Sequence, residues 1–180
     1  MKLHIFGASG SGVTTLGYAL SAETGLAYFD SDDYFWIKTK IPFTEKRNPD
    51  ERNRLIMKDL EAAGKWILGG STFTWGNNLF PDFDLVVFLY VPAEVRMERL
   101  KKREWERYGD IIFKDAERSR LHKEFITWAE GYDFKTELTN RTLKAHQAWL
   151  EQLKCPVLKI IGTQPVEEKV QLVLEKISEL

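Results

Sequence analysis

Lys2-Leu3-His4-Ile5-Phe6-Gly7-Ala8-Ser9-Gly10-Ser11-Gly12-Val13-Thr14-Thr15-Leu16 is an apolar run that stops at a glycine, passes through a Gly/Ser turn and resumes as a helix-forming stretch. The spacing is that of a phosphate-binding loop, in which a strand ends at the first glycine, four residues follow, and a Gly-Lys-Ser/Thr step opens a helix. Every element is in register except one, because Val13 stands at the lysine position. Gly7, Gly10 and Gly12 permit positive φ and remove side chains that would block an anion, so the backbone of Gly7, Ser9, Gly10, Ser11, Gly12, Val13, Thr14 and Thr15 is expected to cradle a nucleotide's phosphates. A helix starting near Val13 adds its positive dipole end. Thr14 falls where the motif's hydroxyl ligates Mg²⁺. Val13 cannot supply a cation between the β- and γ-phosphates, so a donor from elsewhere has to replace it, or turnover is slow or absent.

Working outward, 180 residues that are 43% hydrophobic and 29% charged describe one globular domain with length enough for a full core. The net charge of −1 gives no global attraction to nucleic acid or to an anionic membrane. The chain shows no apolar run long enough for a signal peptide or a bilayer span, which predicts a cytoplasmic protein. Cys155 has no partner for an internal disulfide and no metal-ligand spacing with His4, His122 or His146.

Apolar runs at residues 3–6, 26–29, 66–68, 85–91 and 157–161 are continuous rather than alternating, as strands covered on both faces should be. Helical patterns separate them: 14–23 ending at Gly25, a helix opened by Asn48-Pro49 and ended by Gly64, 93–108 behind Pro92, and a last helix behind Pro165. This βαβ repetition predicts an α/β fold with a five-stranded parallel sheet between two helical layers and a ligand crevice at the strands' C-terminal ends. A helical insert at about 104–153 interrupts it, with helices expected at 115–130 and 140–153. The insert reads either as a lid, with Gly109 and Gly131 as hinges, or as a packed helical pair that thickens the domain.

Three further clusters sit where the crevice should be. Phe29-Asp30-Ser31-Asp32-Asp33 follows the second strand, and on an extended segment Asp30 and Asp32 share one direction. One of them could hold a Mg²⁺-bound water and the other orient or deprotonate an acceptor hydroxyl; the alternative is an acidic helix cap, with Asp33 the best candidate. Gly69-Gly70-Ser71-Thr72 follows the third strand, where the two glycines would let an acceptor approach the main chain, and Trp75 could stack on it or fill core. Arg96, Arg99 and Arg103 lie three and four apart on one helical face, and Arg47, Arg52 and Arg54 begin the helix before the third strand. Arginines on solvated faces are common, yet Arg103, at the entrance to the insert, is the best candidate to replace the missing lysine, with Arg99 beside it.

The chain resembles the small P-loop kinases, the group of adenylate, shikimate and gluconate kinases, over nearly its whole length. Residues 7–15 look like their Walker A loop without its lysine; Phe29-Asp30-Ser31-Asp32 is similar to the shikimate-kinase segment, which implies metal support for Asp30 and acceptor contact for Asp32. Gly69-Gly70 resembles that enzyme's substrate-side glycine run, and residues 83–92 with Arg99-Leu100-Lys101-Lys102-Arg103 resemble the strand-four, helix and lid-entry segment of adenylate-kinase-like enzymes. Ile161-Gly162-Thr163-Gln164-Pro165 resembles their adenine loop, which implies that Gly162, Thr163 and Gln164 flank the base. The resemblance implies a P-loop NTPase fold, an ATP-type nucleotide, Mg²⁺ and a small acceptor bearing a hydroxyl or phosphate; a monomer or homodimer is expected.

The reading is therefore an ATP- and Mg²⁺-dependent phosphotransferase acting on a small metabolite or nucleotide. The glycine loop holds phosphates, Thr14 and Asp30 serve the metal, and Asp32, Arg47, Gly69, Gly70 and Trp75 serve the acceptor. Asp32, Arg99 and Arg103 act at the transferring group. The alternative, favoured by Val13, is a nucleotide-binding sensor with little or no kinase activity.

Overall fold

Leu3, Ile5 and Phe6 are wholly buried because the strand they form lies in the middle of a sheet covered on both faces. In the computed structural model, which describes residues 1–76, 79–135 and 139–180, that strand is β1 (Lys2–Gly7). It is followed by α1 (Val13–Thr24), β2 (Ala27–Asp30), α2 (Ser31–Phe35), α3 (Pro49–Ala63), β3 (Trp66–Gly69) and β4 (Leu85–Tyr90). Then come α4 (Ala93–Tyr108), α5 (Ile111–Lys114), α6 (Ala116–Phe134), α7 (Leu143–Leu150), β5 (Val157–Ile161) and α8 (Val166–Ser178). The five strands form one parallel sheet in the order β2-β3-β1-β4-β5, with Ile5 opposite Gly69 on one side and Val87 on the other. The α/β fold expected from the apolar runs is present, each strand within a residue or so of its predicted limits.

The helix boundaries follow local chemistry. Asn48 accepts from the N–H groups of Asp50 and Glu51 and Pro49 takes the first turn, so α3 starts there and stops at Gly64, whose φ is 65°. Behind Pro92, α4 occupies its predicted span. The extended segment expected beyond Asp30 is instead α2, because the Asp30 carboxylate accepts the N–H of Asp32 and caps a helical turn. In the insert, Asp115 caps α6, which runs on to Phe134 and so takes Gly131 into its interior, away from any hinge. Thr142 accepts from the Ala145 N–H and delays the start of α7 relative to the expected 140. Residues 136–138 of the predicted insert lie outside the described residues.

The chain divides into two compact units. The first comprises residues 1–7, 12–89 and 153–180, and the second comprises 8–11 and 90–152. The first unit's core joins Leu3 and Ile5 of β1, Leu16 and Leu20 of α1, Ile67 of β3, Leu85 and Val87 of β4, Ile160 of β5 and Val173 of α8. In the second unit an apolar cluster joins Met97, Leu100 and Ala129, with Phe125, Ile126 and Trp128 against it.

Candidate functional site

Gly10 and Gly12 have φ of 82° and 93°, a region that L side chains rarely enter. At Gly10 packing adds a second reason, since a Cβ would stand 2.8 Å from the Arg96 carbonyl oxygen. The turn is tied by the Ser11 N–H to the Ala8 carbonyl at 3.1 Å, while Ser11 Oγ is buried with no partner among the described residues. No side chain caps α1, so the first N–H groups of that helix are not answered by a side chain. An uncapped helix start and an orphaned buried hydroxyl are what a loop built for anionic oxygens presents. Val13 packs its half-buried side chain against the first unit's core.

Thr14 and Thr15 are exposed, and Thr14 Oγ1 donates to Asp30 Oδ2 at 3.0 Å, joining the start of α1 to the end of β2. Tyr28, two residues before Asp30 on the same side of the strand, donates its hydroxyl to that oxygen at 3.0 Å. Burial first, and the nearby Asp30 carboxylate second, push the Tyr28 hydroxyl well above the usual phenol range. Asp30 Oδ1 accepts the Asp32 N–H at 3.0 Å. Asp30, rather than Asp33, is thus the helix cap, and Asp32 sits in the first turn of α2 instead of along an extended segment with Asp30. Asp33 lies 3.7 Å from Lys38.

A divalent cation is testable against these groups. Mg²⁺ takes few protein ligands and completes its shell with water and phosphate oxygens. Among the described residues no group of three His, Cys, Asp or Glu side chains converges, whereas the Thr14 hydroxyl and one carboxylate do meet. That donor set fits Mg²⁺ brought with a nucleotide and would not hold a bare transition metal.

On the acceptor side, the space above Gly69 and Gly70 is used by the chain itself: a Cβ on Gly69 would lie 2.1 Å from the Tyr28 hydroxyl, and one on Gly70 1.8 Å from Ser31 Oγ. Trp75 is buried, 6.4 Å from the Phe35 ring, and the Arg52 guanidinium stacks on it at 4.0 Å. Arg52 is buried as well, donates Nε and Nη2 to Asn53 Oδ1, and has no carboxylate within ion-pair distance among the described residues. Desolvation lowers its pKa. Arg47 gives Nε to the Tyr34 carbonyl at 3.0 Å and pairs with Glu51 at 3.1 Å. Spacing alone places Arg47, Arg52 and Arg54 at one helix start; only packing singles out Arg52 as the buried one.

In the second unit the arginine row of α4 divides. Arg96 is wholly buried, donating Nε to the Val91 carbonyl and Nη1 to the Ser9 carbonyl, and it forms an ion pair with Asp133 of α6. Tyr90 donates to Asp133 at 3.1 Å, and Tyr132 lies under the guanidinium and bonds His146 of α7 at 2.8 Å. Arg99, exposed, reaches the Gly10 carbonyl at 3.4 Å, and Arg103 is exposed further along α4. Arg96 therefore ties down the loop's backbone, a role hidden in sequence because periodicity shows a shared face but not what covers it. Back in the first unit, Gly162 has φ 115° in the turn after β5, where Gln164 donates Nε2 to the Ile161 carbonyl and leaves Oε1 buried without a partner among the described residues.

No protein-family model matches the chain. The uncharacterized protein YqaC of Bacillus subtilis (strain 168) is 43% identical over 177 residues, which cover 98% of this chain and 97% of YqaC. The chain belongs to the YqaC family. Cytidylate kinase 2 of Borreliella afzelii (strain PKo) is 28% identical to this YqaC-family chain over 123 residues, 62% of the chain and 67% of that protein. Shikimate kinase from Acinetobacter baumannii, solved with shikimate, superposes with a TM-score of 0.57 at 17% identity, covering 98% of the chain and 92% of the enzyme. The fold of this YqaC-family protein is that of the small P-loop kinases. Among the described residues no helix is long and apolar enough to cross a membrane.

Proposed function

We propose that the protein is a phosphotransferase that takes ATP with Mg²⁺ and a small anionic or hydroxyl-bearing acceptor. The carrying observation is the Thr14 hydroxyl on the Asp30 carboxylate at 3.0 Å, beside a glycine turn and an uncapped helix start. A chain that only bound phosphate through backbone N–H groups would have no use for that pair, whereas Mg²⁺ needs an oxygen ligand and a carboxylate to orient it. Mg²⁺ bound there would neutralise charge on the phosphates being rearranged.

In this reading residues 7–15 take the phosphates, with Ser11 Oγ finding in a phosphate oxygen the partner it lacks among the described residues. Asp32 orients the acceptor, helped by Arg47 and Trp75, while Gly69 and Gly70, expected to admit the acceptor, instead make room for Tyr28 and Ser31. Arg52 joins the acceptor groups, because a buried guanidinium stacked on Trp75, whose polar partner among the described residues is the Asn53 amide oxygen, is stabilised by an incoming carboxylate or phosphate. Arg99 and Arg103 supply positive charge in place of a lysine at Val13, while Gly162, Thr163 and Gln164 flank the base, with the free Oε1 of Gln164 a ready acceptor for an exocyclic amine.

Val13 favours a second reading, a nucleotide sensor without transfer chemistry. Calorimetric titration with ATP and GTP, each with and without Mg²⁺, comes first. Metal-dependent, base-selective binding is the expected result and warrants a screen of acceptors for phosphoryl transfer. Binding that ignores Mg²⁺ would move the protein to the sensor reading, and no binding of either nucleotide would remove both.

A further inference from the structure

We propose that Tyr28 is a positioning residue for the Thr14–Asp30 pair, its hydroxyl fixing the Asp30 carboxylate from a slot that Gly17 and Gly69 keep open. The proposal rests on the reading of that pair as the Mg²⁺ site.

The slot is built from two elements that both give up a side chain. Gly17 lies inside α1, where glycine lowers helix stability, and a Cβ there would stand 2.1 Å from Tyr28 Cε2 and 2.6 Å from Cδ2. Gly69 ends β3, and its Cβ would stand 2.1 Å from the Tyr28 hydroxyl oxygen. Neither position has a positive φ, so it is the ring, not the backbone, that excludes alanine. Tyr18 flanks the ring from the same helix at 4.7 Å between centroids.

What the slot delivers is one O–H bond. A phenylalanine would fill the same volume, so the hydroxyl's contribution lies in its contact with Asp30. With Tyr28 and Thr14 both donating to Oδ2 and the Asp32 N–H donating to Oδ1, the carboxylate is held at both oxygens. The Thr14 proton is thereby committed to Asp30, which leaves the threonine's lone pairs for a cation. Groups that orient metal-supporting carboxylates in this way typically change metal affinity 10- to 100-fold when removed. Tyr28 touches neither phosphate nor acceptor in this arrangement; it acts through Asp30.

The test is Tyr28→Phe, compared with the unaltered protein by calorimetric titration of a non-hydrolysable ATP analogue across a Mg²⁺ series that includes none. Circular dichroism and the unfolding midpoint serve as fold controls. The expected result is at least a 10-fold weakening of binding in Mg²⁺, with metal-free binding unchanged and the Mg²⁺ midpoint raised. Direct Mn²⁺ binding followed by electron paramagnetic resonance should weaken in parallel. Equal weakening with and without Mg²⁺, or no weakening at all, would overturn the proposal and leave Tyr28 as packing. If the unaltered protein itself binds the analogue without regard to Mg²⁺, the metal reading of Thr14 and Asp30 falls and this proposal falls with it, an outcome visible before any variant is made.

Discussion

Val13 packs against the first unit's core from the position where phosphate-binding loops carry a lysine. A lysine stem can lie over the same apolar surface while its ammonium reaches beyond it. Val13→Lys is therefore expected to tighten ATP binding about 10-fold, about 1.4 kcal/mol, at a cost of about 1 kcal/mol in stability, read by titration and urea unfolding. Weaker binding in the variant would mean that another cation already occupies that space. His4 makes a different residue-scale demand. It is wholly buried between Phe6 and Phe83, bonded through Nδ1 to the Leu68 carbonyl, and burial pushes its pKa down to about 4. The unfolded chain, near 6.5, takes up the proton first, so the stability that neutral His4 allows is complete above about 6.5 and is lost as pH falls towards 4. The loss is on the order of 3 kcal/mol, and His4→Phe should flatten that part of the pH–stability curve measured by urea unfolding.

At the scale of elements, α4 shows what sequence periodicity can and cannot reveal. The spacing of Arg96, Arg99 and Arg103 puts them on one face, yet burial separates the first, fully covered and paired with Asp133, from the exposed other two. Removing one partner of a buried pair strands the other charge, so Arg96→Met should cost about 3–5 kcal/mol by urea unfolding. Adding Asp133→Leu should recover most of that loss; a double variant as unstable as the single one would show that the bonds to the Val91 and Ser9 carbonyls dominate. The termini of α3 and α4 were legible because Asn48-Pro49, Gly64 and Pro92 act locally. By contrast, α2 was not, since Asp30 serves as cap and as partner of Thr14 at once, and the first of these roles wins the backbone of Ser31 and Asp32. Tyr28 left two traces in the sequence, its period-two relation to Asp30 and a glycine inside α1, but the contact linking Gly17 to Tyr28 is tertiary.

For the whole molecule, the parallel sheet could be read from five continuous apolar runs, whereas the division into two units could not, because residues 8–11 join the second unit through tertiary contacts with α4. The two units also differ in what holds them. In the first unit the buried apolar side chains come from β1, β3, β4 and β5 and from α1, α3 and α8, while the second unit carries the cluster of Met97, Leu100 and Ala129 and the polar chain from Arg96 through Asp133 to Tyr90. Resistance to local opening follows buried apolar contact, and polar pairs exposed by a partial opening are readily rehydrated. Native-state hydrogen exchange followed by mass spectrometry should therefore show α5, α6 and α7 opening at lower free energy than β1, β3 and β4, as a cooperative group rather than residue by residue. Arg96→Met should lower the opening free energy of α6 more than that of β1, because Arg96, Asp133 and the groups bonded to them at Ser9, Tyr90 and Val91 all belong to the second unit. Uniform protection across both sets of elements would mean that they unfold as one cooperative body, and that the Arg96–Asp133 pair stabilises the sheet as much as the insert.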